Sequence, residues 1–232
     1  MKLFVSGTDT GIGKTYVTAG LVRALRAAGR DASAAKPVAS GYELVDGLYR
    51  NADLDTLAAA SGHCPGELCV YGFTPAIAPH RAAELSGVEI RLQPIVDAVE
   101  RLAARHADLL VEGVGGFAVP LSPALMLADL VRALGLPVLL VVGVRLGCIN
   151  HALLSADAIR AAGLPLAGWI ANRIDPAMDE AQASIDAIAA RIGAPLLGEV
   201  ARDAGPAQFA PIAERLLREP AAPGGVHSRR PA

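Results

Sequence analysis

Val5–Gly20 reads VSGTDTGIGKTYVTAG, and the reading of this stretch decides the fold. Its Gly13-Lys14-Thr15 ending belongs to a phosphate-binding loop of pattern G-x-x-x-x-G-K-[ST]. The spacing does not quite fit. The pattern's first glycine would fall on Thr8, and Gly7 stands one residue early. Before the loop, KLFVS (2–6) predicts a buried strand. After it, Val17, Leu21, Ala24, Leu25 and Ala28 recur at helical spacing, and Gly29 predicts a stop. In such a strand–turn–helix, backbone N–H groups can surround phosphate oxygens. Lys14 would then reach the β and γ phosphates, and the Thr15 hydroxyl would reach Mg²⁺.

The rest of the chain repeats the β-α theme. ASAAK (32–36), ADLLVEG (107–113), PVLLVVGV (137–144), PLAGWIAN (165–172) and APLLGEV (194–200) are short apolar runs, as expected of strands in a parallel sheet. INHALLSADAIRAAG (149–163) and EAQASIDAIAARIG (180–193) predict helices. The expected class is α/β: one doubly wound, mostly parallel sheet with helices on both faces, of the phosphate-loop NTPase type. No repeat or linker divides it. Residues 1–217 therefore read as one domain, and REPAAPGGVHSRRPA (218–232) as a disordered tail.

Composition narrows the partners. A net charge of −2 gives no strong field for nucleic acid or anionic lipid. Four Phe, four Tyr and one Trp are too few to argue for stacking on single-stranded nucleic acid. Cys64, Cys69 and Cys148 do not make a disulfide framework. MKLFVSGTDT lacks a signal-peptide pattern, and the apolar runs are too short to span a bilayer. The expectation is a soluble, cytoplasmic protein with no nucleic-acid or membrane partner.

Ligands of such sheets sit at the carboxyl ends of the strands. In KPVASG (36–41), Lys36 ends a strand and Pro37 keeps a helix from starting at once. A second lysine near the phosphate loop can hold a further anion, or it can be a surface lysine. Asp53, in RNADLDTLAAASG (50–62), reads as a helix cap or as a metal ligand. Glu112 ends an apolar strand and is followed by Gly113-Val114-Gly115-Gly116. Such an acid is placed to hold Mg²⁺, and leaving it unpaired would be costly. The glycines let a nucleotide approach the backbone. The N–H groups of Gly147, Cys148, Ile149 and Asn150 can bind a carboxylate, or Asn150 can cap the helix. The Asn172 amide could read a base edge; NRID (172–175) superficially matches a guanine-reading N-K-x-D with Arg173 in place of Lys. HCPGELC (63–69) offers His63, Cys64 and Cys69, but not at a standard zinc spacing and without a fourth ligand. His80 and His151 have no catalytic partner visible in the sequence.

GTDTGIGKT, KPVASG, RNAD, LLVEGVGG, PVLLVVGVRLGCINHALL and LAGWIAN, in this order and spacing, resemble the dethiobiotin synthetases, the ATP-dependent carboxylases of biotin synthesis. The likeness runs to about Val200, and the residue between Gly7 and the usual loop is part of it. The resemblance implies that 7,8-diaminopelargonic acid, CO₂ and ATP give dethiobiotin through a carbamate and a carbamic-phosphoric anhydride. It implies Thr15, Asp53 and Glu112 as Mg²⁺ ligands, with Lys14 and Lys36 catalytic. Lys36 and Ser40 would contact diamine or carbamate. Gly11, Ile12, Gly13, Lys14, Thr15 and Tyr16, then Asp53, Glu112, Gly113, Val114 and Gly115, and finally Asn172 and Arg173, would hold nucleotide. It also implies a homodimer, with residues 147–150 of one subunit receiving the substrate's distal carboxylate at the other's site. One departure stands out: a Pro-Trp-Leu-like segment of the family is replaced here by Val200-Ala201-Arg202-Asp203. The alternative class is a switch ATPase of the partition and division-site type, but those carry an early loop lysine that Gly7-Thr8-Asp9 lacks. The cobyrinate amidating synthetases need a glutamine-handling domain for which the chain has no room.

Overall fold

A computed structural model describes residues 1–201 and 205–218. The chain starts on β1 (Lys2–Gly7), turns through the glycine-rich loop and continues as α1 (Lys14–Ala27) and β2 (Ala32–Ala35). A long crossover follows: β3 (Val38–Ser40), the hairpin of β4 (Glu43–Val45) and β5 (Leu48–Arg50), α2 (Ala52–Ser61), α3 (Pro65–Leu68), β6 (Tyr71–Phe73), α4 (Pro79–Leu85) and α5 (Leu92–Arg105). β7 (Asp108–Glu112) returns to the sheet. β8 (Pro120–Ser122), β9 (Leu125–Met126) and α6 (Leu127–Leu134) lead to β10 (Val138–Gly143). Then come α7 (Cys148–Ala161), β11 (Leu166–Arg173), α8 (Ala181–Ala189) and β12 (Leu196–Ala201); a 3-10 turn at Pro206–Gln208 precedes α9 (Phe209–Arg218).

Six strands form the central sheet in the order β12-β11-β10-β1-β7-β2. Every pairing in it is parallel. These are the six runs that the sequence marks as strands. All six residues of β10 are buried, which is why no polar alternation shows in PVLLVVGV. Successive side chains still point to opposite faces. Val138, Leu140 and Val142 join one core with Ile95, Trp169 and Ile188. Leu139 and Val141 join the other with Val17, Leu21, Leu57 and Phe209. Helices therefore cover both faces. After β2 and β7 on one side of β1, the chain crosses to β10 on the other, so the switch in strand order lies at β1. The crevice at its carboxyl end is the ligand site of doubly wound folds.

Several elements were not among those expected from the sequence. They include α5, α6, α9, the parallel pair β3–β6 and the two antiparallel hairpins. The α1 stop agrees with expectation: Gly29 has φ +77°, the left-handed conformation that ends helices. Arg218, expected to begin the tail, is instead the last residue of α9; residues 219–232 lie outside those described. In the departing segment, Val200 and Ala201 end β12, while Arg202 and Asp203 also lie outside the described residues. Among the described residues, no helix is long and apolar enough to cross a membrane.

Candidate active site

The loop between β1 and α1 is shaped by its glycines. Gly11 and Gly13 have φ of +72° and +83°, and Gly13 stands at the head of α1 without a capping side chain. A Cβ on Gly13 would lie 2.3 Å from Asn172 Nδ2. That closeness has a purpose: Asn172, buried at the end of β11, donates to the Ile12 carbonyl at 2.7 Å. Asn172 thus reaches the loop through its backbone. Arg173, one residue on, is held at the surface by Glu199 at 2.7 Å and by Gln182.

The longer loop uses its additional length in two ways. The Thr8 hydroxyl accepts from the Gly143 N–H at 3.4 Å, and the Asp9 carboxylate pairs with Arg145 and accepts from the Thr10 N–H. This ties the loop to the carboxyl end of β10. Thr10 faces the other way, for a Cβ on Gly115 would come within 3.5 Å of its hydroxyl.

Lys14 folds back over the loop and donates to the Asp9 carbonyl at 2.9 Å. It is almost fully buried, and burial lowers its pKa to about 8, against the pull of Glu112. Thr15 donates to Glu112 Oε1 at 2.7 Å. Lys36 donates to the same oxygen at 2.9 Å and also to Asp53 Oδ2. Burial alone would lower the Lys36 pKa, but Glu112 and Asp53 override it and raise it. For Asp53 burial works upward, and Lys36 wins in lowering its pKa. The surface-lysine reading of Lys36 therefore fails, since the residue is 5% exposed and sits between two carboxylates.

Asp53 does not cap α2 either. Asn51 is the N-cap; its Oδ1 accepts from the Leu54 N–H at 3.2 Å, while its Nδ2 donates to the carbonyls of Ser40 and Gly41. One side chain thereby fixes both α2, which carries Asp53, and the strand end that carries Ser40. An Asn immediately before a helical run is a readable cap signal, and it marks Asn51 as a positioning residue that the candidate set lacked. Among the described residues, the buried oxygens Glu112 Oε2 and Ser40 Oγ have no hydrogen-bond partner.

At the β10–α7 junction the cap is Gly147, with φ +91°, so Asn150 is not the cap but a residue of the first turn. The Cys148 N–H is already taken by the Arg145 carbonyl at 3.0 Å, and its side chain is buried. Ile149 is half-buried and Asn150 exposed. Among the described residues, 147–150 make no hydrogen bond with Lys14, Lys36, Asp53 or Glu112. Tyr16 points away from the cluster toward α9, 5.5 Å from the Phe209 ring and 3.1 Å from Gln208 Nε2. The possible zinc set does not assemble: Cys64 is exposed, and Cys69 Sγ bonds the Tyr71 carbonyl.

Comparison with known proteins places this geometry. A family model described as an AAA domain matches residues 1–205. The ATP-dependent dethiobiotin synthetase of Aromatoleum aromaticum is 54% identical over 89% of this chain and 94% of its own length. That of Pseudomonas paraeruginosa is 53% identical over 89% and 93%. Among solved structures, the MinD cell division protein of Aquifex aeolicus superposes with a TM-score of 0.58 at 17% identity, covering 94% of this chain and 98% of that one. A ParA family ATPase of Chlorobium tepidum gives 0.52 at 16% identity, over 94% and 89%. At such low identity these two share the fold alone, whereas the sequence relatives are close and full-length. The chain belongs to the ATP-dependent dethiobiotin synthetase family.

Proposed function

We propose that the chain catalyses ring-closing carboxylation of 7,8-diaminopelargonic acid by CO₂ and ATP, giving dethiobiotin, ADP and phosphate. The observation that carries this reading is the buried Lys36, held at a strand end between Glu112 and Asp53 and linked through Glu112 to Thr15 of the phosphate loop. A phosphate loop alone needs one lysine. A second, kept charged beside it, provides for a second anion.

One amine of the diamine adds to CO₂ and loses a proton, leaving a carbamate. A carbamate oxygen attacks the γ-phosphorus, the bond to the β,γ-bridging oxygen breaks, and ADP departs. The neighbouring amine then attacks the carbamoyl carbon, phosphate leaves with the C–O bond's electrons, and the nitrogen gives up its proton. The difficulty is to bring carbamate and triphosphate together. Lys14 on the phosphate side and Lys36 on the carbamate side supply opposing charge and alignment. Ser40, whose buried hydroxyl has no partner among the described residues, would bond the diamine or carbamate. Gly11–Thr15 and the 112–115 loop surround the phosphates, and Asn172, Arg173 and Tyr16 lie toward the rest of the nucleotide.

Thr15, Asp53 and Glu112 fit Mg²⁺. They are hard oxygen donors, and the buried Glu112 Oε2 has no other partner among the described residues. Bound there, Mg²⁺ would neutralise charge on the β and γ phosphates. The α7 start, residues 147–150, receives the distal carboxylate of a substrate held mainly by a second copy, making a homodimer with shared sites. Leu146 and Leu154, at 91% and 61% exposure, flank that start. We read the chain through the end of α9 at Arg218 as the catalytic unit and its setting as the cytoplasm. Incubation with the diamine, bicarbonate and MgATP, followed by mass spectrometry, is expected to show dethiobiotin. Absence of diamine-dependent ADP release would overturn the reading.

A further inference from the structure

At the amino ends of the strands, opposite the end that carries the phosphate loop, two histidines meet. His63 follows α2, and His106 closes α5 just before β7. Their Nε2 atoms are 3.0 Å apart. Each Nδ1 is backed by a carboxylate: His63 by Glu67 Oε2 and His106 by Asp31 Oδ1, both at 2.7 Å. The rings stand nearly perpendicular, with centroids 4.9 Å apart. Both imidazoles are largely covered, at 10% and 12% exposure, while the carboxylates are about half exposed.

Counting hydrogens exposes a mismatch. An ionised carboxylate only accepts, so each Nδ1 must carry a hydrogen. In a neutral imidazole that leaves Nε2 with a bare lone pair. Two bare lone pairs at 3.0 Å repel each other unless something positive joins them. A proton can do so only by making one ring an imidazolium. A metal ion does so with both rings neutral, and a carboxylate on the far nitrogen is the arrangement that metal-bound histidines show. Bonds of about 2.0–2.1 Å from one ion to two nitrogens 3.0 Å apart would enclose roughly 90–100°. That angle suits neighbouring positions of a four- to six-coordinate ion.

We infer that His63 and His106 form a two-nitrogen site for a divalent transition-metal ion of the zinc class, oriented by Glu67 and Asp31. Imidazole pairs suit zinc, copper and nickel over the hard cations. Among the described residues no cluster of three or more His, Cys, Asp or Glu is arranged to hold a metal, so water completes the coordination. The ion ties together three connections: α1–β2 through Asp31, α2–α3 through His63 and Glu67, and α5–β7 through His106. Binding to the folded state alone raises stability by mass action.

The test is equilibrium dialysis of the metal-free full chain against Zn²⁺ with Mg²⁺ in excess, paired with thermal melts. The wild type is expected to take up one equivalent of Zn²⁺ that His63→Gln and His106→Gln both lose, and Cys64→Ser should retain it. Glu67→Gln keeps both nitrogens and should weaken binding by about 10–100-fold. Zn²⁺ should raise the Tm of the wild type and not of the two histidine variants. Zn²⁺ uptake unchanged in both histidine variants, or lost in Cys64→Ser instead, would overturn the site. So would a wild type that binds no Zn²⁺ while its imidazole ¹⁵N signals show a proton shared between the rings.

Discussion

Lys14 and Lys36 are two buried ammonium groups that their surroundings drive in opposite directions. Burial takes Lys14 down to about 8, while Glu112 and Asp53 hold Lys36 above the ordinary lysine value. In the free protein Lys14 therefore loses its proton as the pH climbs past about 8. A triphosphate favours the charged form, so nucleotide binding in that range takes up a proton and weakens as pH rises. Below that pH the lysine is already charged and the linkage disappears. Calorimetry near pH 9 in buffers of different ionisation enthalpy should report uptake approaching about one proton per MgATP bound; none at all would mean that Lys14 is not the phosphate ligand. Lys36 behaves differently because its partners are protein carboxylates. Lys36→Ala should cut turnover by at least about 10²–10³-fold, with MgATP affinity changed only a few-fold. Equal losses in both, read by single-turnover kinetics and calorimetry, would place Lys36 on the nucleotide instead. The Asp9–Arg145 pair and the Thr10 approach to Gly115 suggest a division of labour within the longer loop. Asp9→Ala with Thr10→Ala should slow turnover, and wild-type rates would exclude a role for both.

Elements hold these residues in place through a few contacts that can be broken one at a time. Asn51 caps α2 and bonds the carbonyls of Ser40 and Gly41. Asn51→Ala should cost about 1–3 kcal/mol, as a lost cap plus lost buried hydrogen bonds. It should also raise the KM for the diamine, because Ser40 and Asp53 lose a common anchor. A thermal melt with an unchanged midpoint would refute the anchoring. Gly20 does similar service for α9, since a Cβ there would stand 2.4 Å from the Phe209 ring. Gly20→Ala should lift α9 off α1 and destabilise by about 1–3 kcal/mol, the usual cost of overpacking, visible as faster hydrogen exchange across Phe209–Arg218. The sequence marked α1 and five of the sheet strands because their apolar runs are long or bounded by glycine; β2, only Ala32–Ala35 before Pro37, carried the weakest signal of the six. It did not lead to α9, although Phe209, Ile212, Ala213 and Leu216 lie on one face. That helix sits beside a proline-rich end, and its three-turn pattern competes with a tail-like composition. The three-residue strands β3 to β6 are too short to show a period at all. In the site, residue types and strand ends gave Lys14, Thr15 and Glu112, while Lys36 came from the family resemblance, because a lone lysine after a weak strand reads equally as a surface residue. The Asn51 cap is local and readable, but its bonds to Ser40 and Gly41, the Asn172–Ile12 bond and the His63–His106 meeting depend on contacts between separate segments, which no local pattern encodes.

The whole molecule places its charged cluster and its α7 start on different strand ends, β1–β7 on one hand and β10 on the other. Within one chain, among the described residues, residues 147–150 share no hydrogen bond with the Lys36 cluster. If they serve the partner's site, a two-fold dimer contains two composite sites, each drawing Lys36 from one subunit and α7 from the other. That arrangement makes a prediction which a self-contained site does not. Lys36→Ala disables the site built on its own cluster. Asn150→Asp puts a negative charge in the exposed first turn of α7, where acids favour the helix and folding is spared, but where it repels a carboxylate ligand. Each variant alone should be nearly inactive at low diamine concentration. Mixed, dissociated and reassembled at random, half of the dimers carry one copy of each. In those dimers one site has both defects and the other has none. Activity should therefore return to about a quarter of the wild-type value. A mixture as inactive as its components, with sedimentation confirming that subunits had exchanged, would show that each chain supplies its own α7 contact and that the site is not shared.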